Sequence, residues 1–346
     1  MLKFKFIQNY IFANMIANQM PLGKPFFYYS QLYSFIFGLF IFFTSCNNQK
    51  NNENRKPISL TFERFDLKFY NQPSGVIPKL KKEYSFLFPK QFSDSTWIKR
   101  QKDSLQLILQ NAVQNEFPDL LDIESEITDL FEKINFQFPK INLSRVIFLT
   151  NNVDYQLKTV YGDSILLISL DTFLGSNHNL YNGIPNYIRK ELDRKYIMPQ
   201  ILEKFASYKI PPPKERTFLA KILYEGKKMY LKDKFLPHLQ DKIKIAYSDD
   251  EIKWVKNNER FIWQYFIEKQ LLYKTDSELT ERFIEPAPFS KFYLQIDNES
   301  PGKIGVWIGW QIVRSFFKHN PEFPLIEFLN LSSQELFNFS KYKPQR

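Results

Sequence analysis

One stretch of the chain has the spacing of a catalytic motif without its metal-binding residues. In the run Tyr224-Glu225-Gly226-Lys227-Lys228, the first and last residues are four positions apart and a glutamate follows the first. This is the spacing of the HExxH helix of zinc proteases. In that motif, histidines at the two outer positions bind zinc and the glutamate is the general base. Here a tyrosine is a poor ligand and a lysine ammonium repels a cation. The pattern therefore predicts no metal and no cofactor, and at most a vestigial site at Tyr224, Glu225 and Lys228.

Few other residues could carry chemistry. The histidines His178, His238 and His319 are isolated in the sequence, and none has metal-ligand spacing to another histidine, to a cysteine or to an acid. The sequence has no GxSxG nucleophile motif. Paired carboxylates for glycoside hydrolysis stay open, because a sequence does not give their separation. These observations favour a protein that is not an enzyme.

The glutamate lies on a predicted amphipathic helix, residues 217–232, around which the rest of the domain packs. A buried carboxylate must be paired, hydrogen-bonded or protonated. Lys221 and Lys228 are within reach of Glu225, and we expect Lys228 to occupy the vacant metal position and to pair with it. Gly226 costs about 1 kcal/mol inside a helix, which indicates the close approach of another backbone. The apolar face recurs at helical spacing: Phe218, Leu219, Ile222, Leu223, Met229 and Tyr230.

A second helix with internal glycines is predicted from Lys303 to His319. Ser300 is its expected N-cap and Pro301 its first residue. Gly305 and Gly309 are four residues apart and form a smooth stripe for close helix packing. Because these glycines fall within a helix, and not between a strand and a helix, they do not predict a phosphate-binding loop.

Residues 1–45 have the features of a secretory signal. The segment contains lysines but no acidic residue, and it ends in the apolar run Tyr33–Phe43. An uncleaved membrane anchor is the disfavoured alternative, since a spanning helix needs about 20 apolar residues. The segment is longer than usual for a signal peptide, so Met15 and Met20 are alternative starts.

The only cysteine of the chain follows the apolar run. Small residues before Cys46 resemble a bacterial lipobox, which predicts cleavage after Ser45 and attachment of lipid, including palmitate, to Cys46. Asn47 favours sorting to the outer membrane. Residues 46–57 are polar and predict a flexible tether, and 58–346 are expected to form a single globular domain. With one cysteine, no disulfide can form within the chain.

The charge pattern argues against nucleic-acid binding. The formal net charge is +10, but lysines and arginines are scattered among acidic residues and form no basic stripe. Such a balance fits an anionic membrane surface or an acidic protein partner. Aromatic residues make up 17% of the chain, so the core is expected to contain many large flat side chains.

A small sheet is predicted ahead of the central helix. Residues 145–150 and 164–170 are β-branched or apolar and are bounded by Asn, Asp and Gly. We expect these strands to form an antiparallel pair across the 151–162 connection. Residues 59–70 are expected to form a strand followed by an irregular segment.

The rest of the domain is predicted to be mostly helical. Leu105, Ile108 and Phe261 are among the side chains expected to face the core. The predicted fold class is therefore α+β and predominantly helical. The expected helices cover 79–92, 97–115, 125–136, 185–208 with a kink or break at Pro199, 248–258 and 259–273.

Several long runs resemble the gliding-motility lipoprotein GldB family of Bacteroidetes, and they span nearly the whole domain in order. The resemblance implies an outer-membrane lipoprotein, exposed to the periplasm, that cells need for gliding. It supplies no biochemical reaction. The segment before Met20 departs from the family pattern. The runs are FERFDLKFY (62–70), YGDSILLISLDTFLG (161–175), RTFLAKILYEGKKMY (216–230), NNERFIWQYFIEKQLLY (257–273), APFSKFYLQIDNESPGKIGVWIGWQIVRS (287–315) and SKYKPQR (340–346).

The 224–228 helix and the IGVWIGWQIVRS helix (304–315) also resemble predicted zinc peptidases. This similarity implies a degenerate zincin-like domain whose small sheet precedes the central helix. It does not carry over the activity, because Tyr224 and Lys228 replace the ligands.

The sequence leads to three hypotheses about function. The first is a non-catalytic, lipid-anchored part of the gliding machinery, which the resemblance places on the periplasmic face. It would contact the membrane through its lipid and other envelope proteins through its domain. The second is a divergent metallopeptidase-like hydrolase. The third is a cell-wall or glycan binder with an exposed aromatic platform, for which Trp254 or Trp263 are candidates.

Overall fold

The computed structural model describes residues 56–295 and 297–344. The predicted signal peptide, the lipidation site Cys46 and most of the tether lie outside these residues, so the proposals for them stay predictions. Within the described ranges, no helix combines the length and the apolar character needed to cross a membrane. This part of the chain is predominantly helical with one small sheet, which confirms the predicted fold class. The zincin-like label stays a prediction.

The sheet has four strands in the order β1-β2-β4-β3. β1 and β4 both run parallel to β2, with Phe62 opposite Val146 and Val146 opposite Leu166. The predicted antiparallel pairing of β2 with β4 is therefore wrong. The predicted connection contains a third strand, β3, which reverses the chain direction and pairs antiparallel with β4. The strands are β1 (Thr61–Arg64), β2 (Arg145–Leu149), β3 (Thr159–Tyr161) and β4 (Ile165–Ser169).

Fourteen α-helices are assigned over 56–295 and 297–344. They are α1 (Phe65–Tyr70), α2 (Ile77–Glu83), α3 (Asp94–Gln101), α4 (Ser104–Glu116), α5 (Leu121–Gln137), α6 (Asn186–Arg189), α7 (Ile197–Lys209), α8 (Phe218–Phe235), α9 (Asp241–Ile245), α10 (Asp249–Glu268), α11 (Glu278–Phe283), α12 (Ile304–His319), α13 (Leu325–Asn330) and α14 (Ser333–Ser340). Short 3₁₀ helices cover Ser74–Val76, Ser85–Leu87, Leu170–Thr172, Asn179–Tyr181, Arg194–Tyr196 and Asp297–Glu299.

Both faces of the sheet are covered, as parallel strands require. On β2, Val146 and Phe148 belong to the main core, whereas Ile147 points into a smaller aromatic cluster on the opposite face. The smaller cluster is built from α1, α2 and the segments that follow them. The sheet therefore separates a large helical body from a small aromatic lobe.

Several helix predictions on the N-terminal side are wrong in detail. β1 leads directly into helix α1, so the segment after the strand is not irregular. The helix predicted over 79–92 ends at Glu83, and the one predicted over 97–115 is two helices, α3 and α4. Leu105 and Ile108 are 67% and 51% exposed, because the break after Gln101 turns a different face of α4 toward the core.

The long helix predicted over 185–208 is also divided. α6 is a single turn, and α7 begins only at Ile197. Pro199 is the third residue of α7, where a backbone N–H would have no partner within the helix, so the proline causes no kink. The break comes instead at Asp193, whose side chain accepts a hydrogen bond from the Lys195 backbone N–H.

The two helices predicted over 248–258 and 259–273 form one continuous helix. α10 runs unbroken from Asp249 to Glu268, started by a capping box between Ser248 and Glu251. Phe261 is exposed on it and does not face the core. Nor does Ser300 cap α12: the N-cap is Lys303, and the Ser300 hydroxyl donates to the Asp297 backbone carbonyl (2.7 Å).

The central helix α8 packs against α12 through backbone contact. A Cβ at Gly226 would lie 2.3 Å from the Gly309 carbonyl oxygen, and a Cβ at Gly309 would lie 1.8 Å from the Ile222 carbonyl oxygen. At Gly305 the nearest atom would be the Phe283 carbonyl oxygen at 2.9 Å. Only glycine permits this distance between the helices, and it fixes α8 at the centre of the domain.

Candidate functional site

The glutamate of the motif is ion-paired. The Lys228 Nζ lies 2.7 Å from the Glu225 Oε2, one turn away on α8, as the sequence suggested. Lys221, which the sequence also placed within reach, instead donates to the Thr280 hydroxyl (2.8 Å). Tyr224 lies beside the pair, with the Lys228 ammonium 5.2 Å from the centre of its ring.

A second carboxylate, Glu203 of α7, completes the cluster. Its two oxygens contact the ammonium of Lys228 at 2.8 Å and that of Lys232 at 2.7 Å. The Lys232 ammonium also donates to the Lys244 backbone carbonyl (3.1 Å). Sequence analysis did not identify Glu203, because it lies on another helix more than twenty residues upstream and no local spacing connects it to Glu225. We call Glu203, Glu225, Lys228 and Lys232 the α7–α8 ion cluster.

The two carboxylates of this cluster have opposite pKa shifts. Burial by itself raises the pKa of Glu203, but the charges of Lys232 and Lys228 outweigh it and hold that pKa well below its ordinary value. Burial raises the pKa of Glu225, Lys228 only partly opposes this, and the negative charge of Glu203 adds to it. Glu203 is thus the principal counter-ion, and Glu225 shares a lysine that Glu203 already holds.

The ion cluster lines a cleft of about 360 Å³. The same cleft is lined by a second cluster, in which Glu191 contacts the ammoniums of Lys158 (3.0 Å) and Lys303 (3.2 Å). Gln200 donates to the same carboxylate at 2.9 Å. Burial alone would raise the pKa of Glu191, but the charges of Lys303 and Lys158 lower it to about 2. Glu203 and Glu191 therefore each form ion pairs with two lysines.

The ion pair of Glu225 and the surroundings of Tyr224 disfavour the chemistry of an HExxH site. A general base must be free to take up a proton, whereas Glu225 is bonded to an ammonium that occupies the second ligand position. At the first ligand position, burial raises the pKa of Tyr224, which disfavours the phenolate that could bind a metal. Across the described ranges, no group of three or more His, Cys, Asp or Glu side chains is arranged to hold a metal ion.

A separate ion network connects α8 to α12. The Arg314 guanidinium contacts Asp233 (2.7 Å) and Asp241 (2.7 Å), and it stacks 3.8 Å from the Trp310 ring. The Trp310 indole N–H donates to Asp233 at 2.8 Å. These contacts join three helices and have a structural role.

Other residues considered from the sequence have local roles. The His178 Nδ1 accepts from the Leu180 backbone N–H (3.2 Å), and the His319 ring nitrogen contacts the Ser315 carbonyl at 2.8 Å. Trp254 and Trp263 are partly buried against the main core and do not form an exposed aromatic platform.

Comparison with known proteins gives one finding. A family model described as Gliding motility protein GldB matches residues 45–344, which is most of the chain. No curated protein and no solved structure matches it.

Proposed function

Since the chain belongs to the GldB family of gliding motility proteins, we propose that it is a lipid-anchored, non-catalytic component of the gliding machinery. The lipid on Cys46 holds it to the periplasmic face of the outer membrane. The domain acts there through contacts with other envelope proteins of the apparatus. The observation that carries the non-catalytic part is the α7–α8 ion cluster, in which the motif glutamate is already paired.

The extent of the family match supports the lipid anchor. The match begins at residue 45, directly before Cys46, so the shared sequence includes the proposed modified cysteine and omits the segment upstream of it. A thiol that carries lipid is not available as a nucleophile, which agrees with a structural role.

The arrangement of charges supports the non-catalytic role. In this cluster Lys228 lies where a zinc protease has a ligand, and it bonds two carboxylates at once. Freeing Glu225 from Lys228 would leave its own largely buried carboxylate without a counter-ion, which is costly. The cluster therefore stabilises the packing of α7 on α8.

The test is complementation of a gliding bacterium that lacks this protein. Cys46→Ser should abolish labelling with radioactive palmitate, release the protein from the membrane fraction and stop colony spreading. Ser45→Ala keeps a small residue before the cysteine and should remain labelled and motile. Glu225→Gln should spread like the wild type. A labelled, membrane-bound and motile Cys46→Ser variant would refute the lipid anchor.

One observation favours the second candidate, a divergent hydrolase. Glu225 has a raised pKa and faces a cleft large enough for a substrate side chain. This candidate predicts about one zinc per chain in protein purified without chelator, and loss of spreading in Glu225→Gln at normal protein levels. Either result would overturn the non-catalytic proposal.

A further inference from the structure

A second cavity, of about 280 Å³, opens in the aromatic lobe and shares no lining residue with the charged cleft. It lies where the parallel strands β1 and β2 end. Phe65, which follows β1 directly, lines the cavity, and so do four residues of the loop after β2: Thr150, Asn151, Asn152 and Asp154. The crevice outside the carboxyl ends of parallel strands is the usual ligand site of α/β sheets.

The walls of this cavity are aromatic. Rings from α1, from the segment after α2 and from α3 line it, together with Leu157, which is about half exposed. The Trp97 indole N–H is buried and has no hydrogen-bond partner in the part of the chain that the structure describes. An unpaired buried donor is uncommon in proteins. The aromatic residues are Phe65, Phe69, Tyr70, Phe88 and Trp97.

The loop after β2 is held rigidly at the rim. The fully buried Asp171 carboxylate accepts hydrogen bonds from the backbone N–H groups of Asn151 (3.0 Å) and Val153 (2.8 Å). Asn152 and Val153 have positive φ angles of 66° and 55°, and a β-branched residue rarely adopts this conformation. Such strain persists only where surrounding contacts enforce it, and it is concentrated at functional sites.

The rim offers donors and acceptors in balance. The Arg100 Nη2 donates to the Asn152 side-chain oxygen at 3.1 Å. One Asp154 carboxylate oxygen accepts from the Gln156 backbone N–H (3.0 Å). Over 56–295 and 297–344, no hydrogen bond or ion pair engages the other guanidinium nitrogens of Arg100, the second Asp154 oxygen or the Thr150 hydroxyl. Asp66 also lines the cavity, but both of its carboxylate oxygens accept from the Arg64 guanidinium (2.9 and 2.7 Å). Arg100 and Asp154 carry opposite charges, so the cavity lining has no excess of one sign.

From this combination we infer that the cavity binds a sugar ring. The C–H face of a pyranose packs on aromatic walls, while its peripheral hydroxyl groups both donate and accept hydrogen bonds. A strongly charged ligand would find no excess of opposite charge, and a purely apolar one would leave the rim groups desolvated and unpaired. The cavity volume lies just below the about 300–1,000 Å³ that is typical of sites for drug-sized ligands, so the cavity fits a smaller ligand. The inference does not depend on the proposed role in gliding.

Fluorine NMR on the full-length protein in detergent tests it. The chain has five tryptophans, so 5-fluorotryptophan labelling gives five signals. Methyl β-D-glucoside and methyl N-acetyl-β-D-glucosaminide are titrated separately at millimolar concentrations. We expect at least one glycoside to shift the Trp97 signal saturably, while the signals of the four tryptophans outside the cavity stay in place.

Substitutions at the rim distinguish binding in this cavity from nonspecific binding. Arg100→Ala should weaken binding about tenfold, as expected for loss of a hydrogen bond to a charged group. Asp154→Asn retains the oxygen that accepts from Gln156 and should also weaken binding. Lys99→Ala, an exposed neighbour on α3 that does not line the cavity, is the matched control and should bind like the wild type.

Two results would overturn the inference. The first is the absence of a saturable Trp97 shift with both glycosides. The second is equal binding by the wild type and the Arg100→Ala variant with its folded spectrum retained. Saturable binding of indole at Trp97, without binding of either glycoside, would assign the cavity to an apolar ligand instead.

Discussion

The two carboxylates of the α7–α8 ion cluster should differ sharply in their importance for stability. Among the residues that the structure describes, Glu203→Gln removes the only carboxylate that contacts Lys232 and one of the two that contact Lys228. Glu225→Gln also removes a carboxylate from Lys228, but the Lys228 ammonium keeps a counter-ion, because Glu203 remains 2.8 Å away. Each substitution replaces a carboxylate by an amide of nearly the same size, so packing is preserved and charge is what changes.

The magnitude follows from the burial of the lysines. Breaking a buried ion pair by removing one partner costs about 3–5 kcal/mol. The Glu203 side chain is 25% exposed through the cleft, so water and the remaining amide oxygen reduce this cost to about 2–4 kcal/mol. At about 2 °C per kcal/mol for a domain of this size, Glu203→Gln should lower Tm by about 4–8 °C. Glu225→Gln should cost no more than about 1 kcal/mol, because the pKa of this carboxyl is already raised by burial.

Urea denaturation followed by circular dichroism at pH 7 measures both free energies of unfolding. A lowered pKa in the folded state means that Glu203 stabilises the fold above its ordinary pKa of 4.5 and loses that contribution as the pH falls below it. The difference in stability between the wild type and Glu203→Gln should therefore shrink in acid. Glu203→Gln/Lys232→Met, which also removes the unpaired ammonium, should recover most of the lost stability.

Equal destabilisation by the two glutamine variants would refute this reasoning, and so would a larger effect at Glu225. Either outcome would mean that Lys228 depends on Glu225 and that Glu203 is a peripheral contact. Failure of the double variant to recover stability would show that the loss comes from packing and not from an unpaired charge.

Two further predictions concern the backbone and the buried loop anchor. Gly226→Ala should destabilise the domain strongly in thermal denaturation, because its Cβ would lie 2.3 Å from the Gly309 carbonyl oxygen. Gly75→Ala is the control: the added Cβ would lie in open space, so this variant should unfold at nearly the wild-type temperature. Burial raises the pKa of Asp171 from 3.8 to about 6, so its contribution to stability is present in acid and is lost as the pH rises through 6. The wild type should gain about 1 kcal/mol between pH 7 and pH 5 from this group, and Asp171→Asn should remove that gain; an unchanged slope in urea midpoints would contradict the assignment.

Local pattern was enough to predict the central helix and its contacts along one face. The apolar residues of α8 are buried as their spacing indicates, except that Tyr230 is only partly buried. Thr217 caps the helix by accepting a hydrogen bond from the Ala220 backbone N–H. The contact between Glu225 and Lys228 was predictable for the same reason, since residues three apart on a helix are neighbours. Gly226 and Gly309 also signalled close packing, although not which backbone each would meet.

Errors arose where the end of an element depends on tertiary contacts. Pro199 looks like a helix breaker in sequence, yet its effect depends on where α7 begins, and that is decided by the turn at Asp193. Likewise β3 is only three residues long and gains its identity from pairing with β4. Short elements carry too few residues for a periodic pattern to distinguish strand from loop.

The sequence by itself determined the helical character of the domain, the buried position of α8 and the absence of histidine ligands from the 224–228 motif. These features depend on residue type and on spacings of three or four residues. Only the tertiary structure brought Glu203 to Lys228 and Lys232, and Glu191 to Lys158 and Lys303. Carboxylates and lysines far apart in sequence are paired by the folding of the chain, because burial makes an unpaired charge costly wherever in the sequence its partner lies.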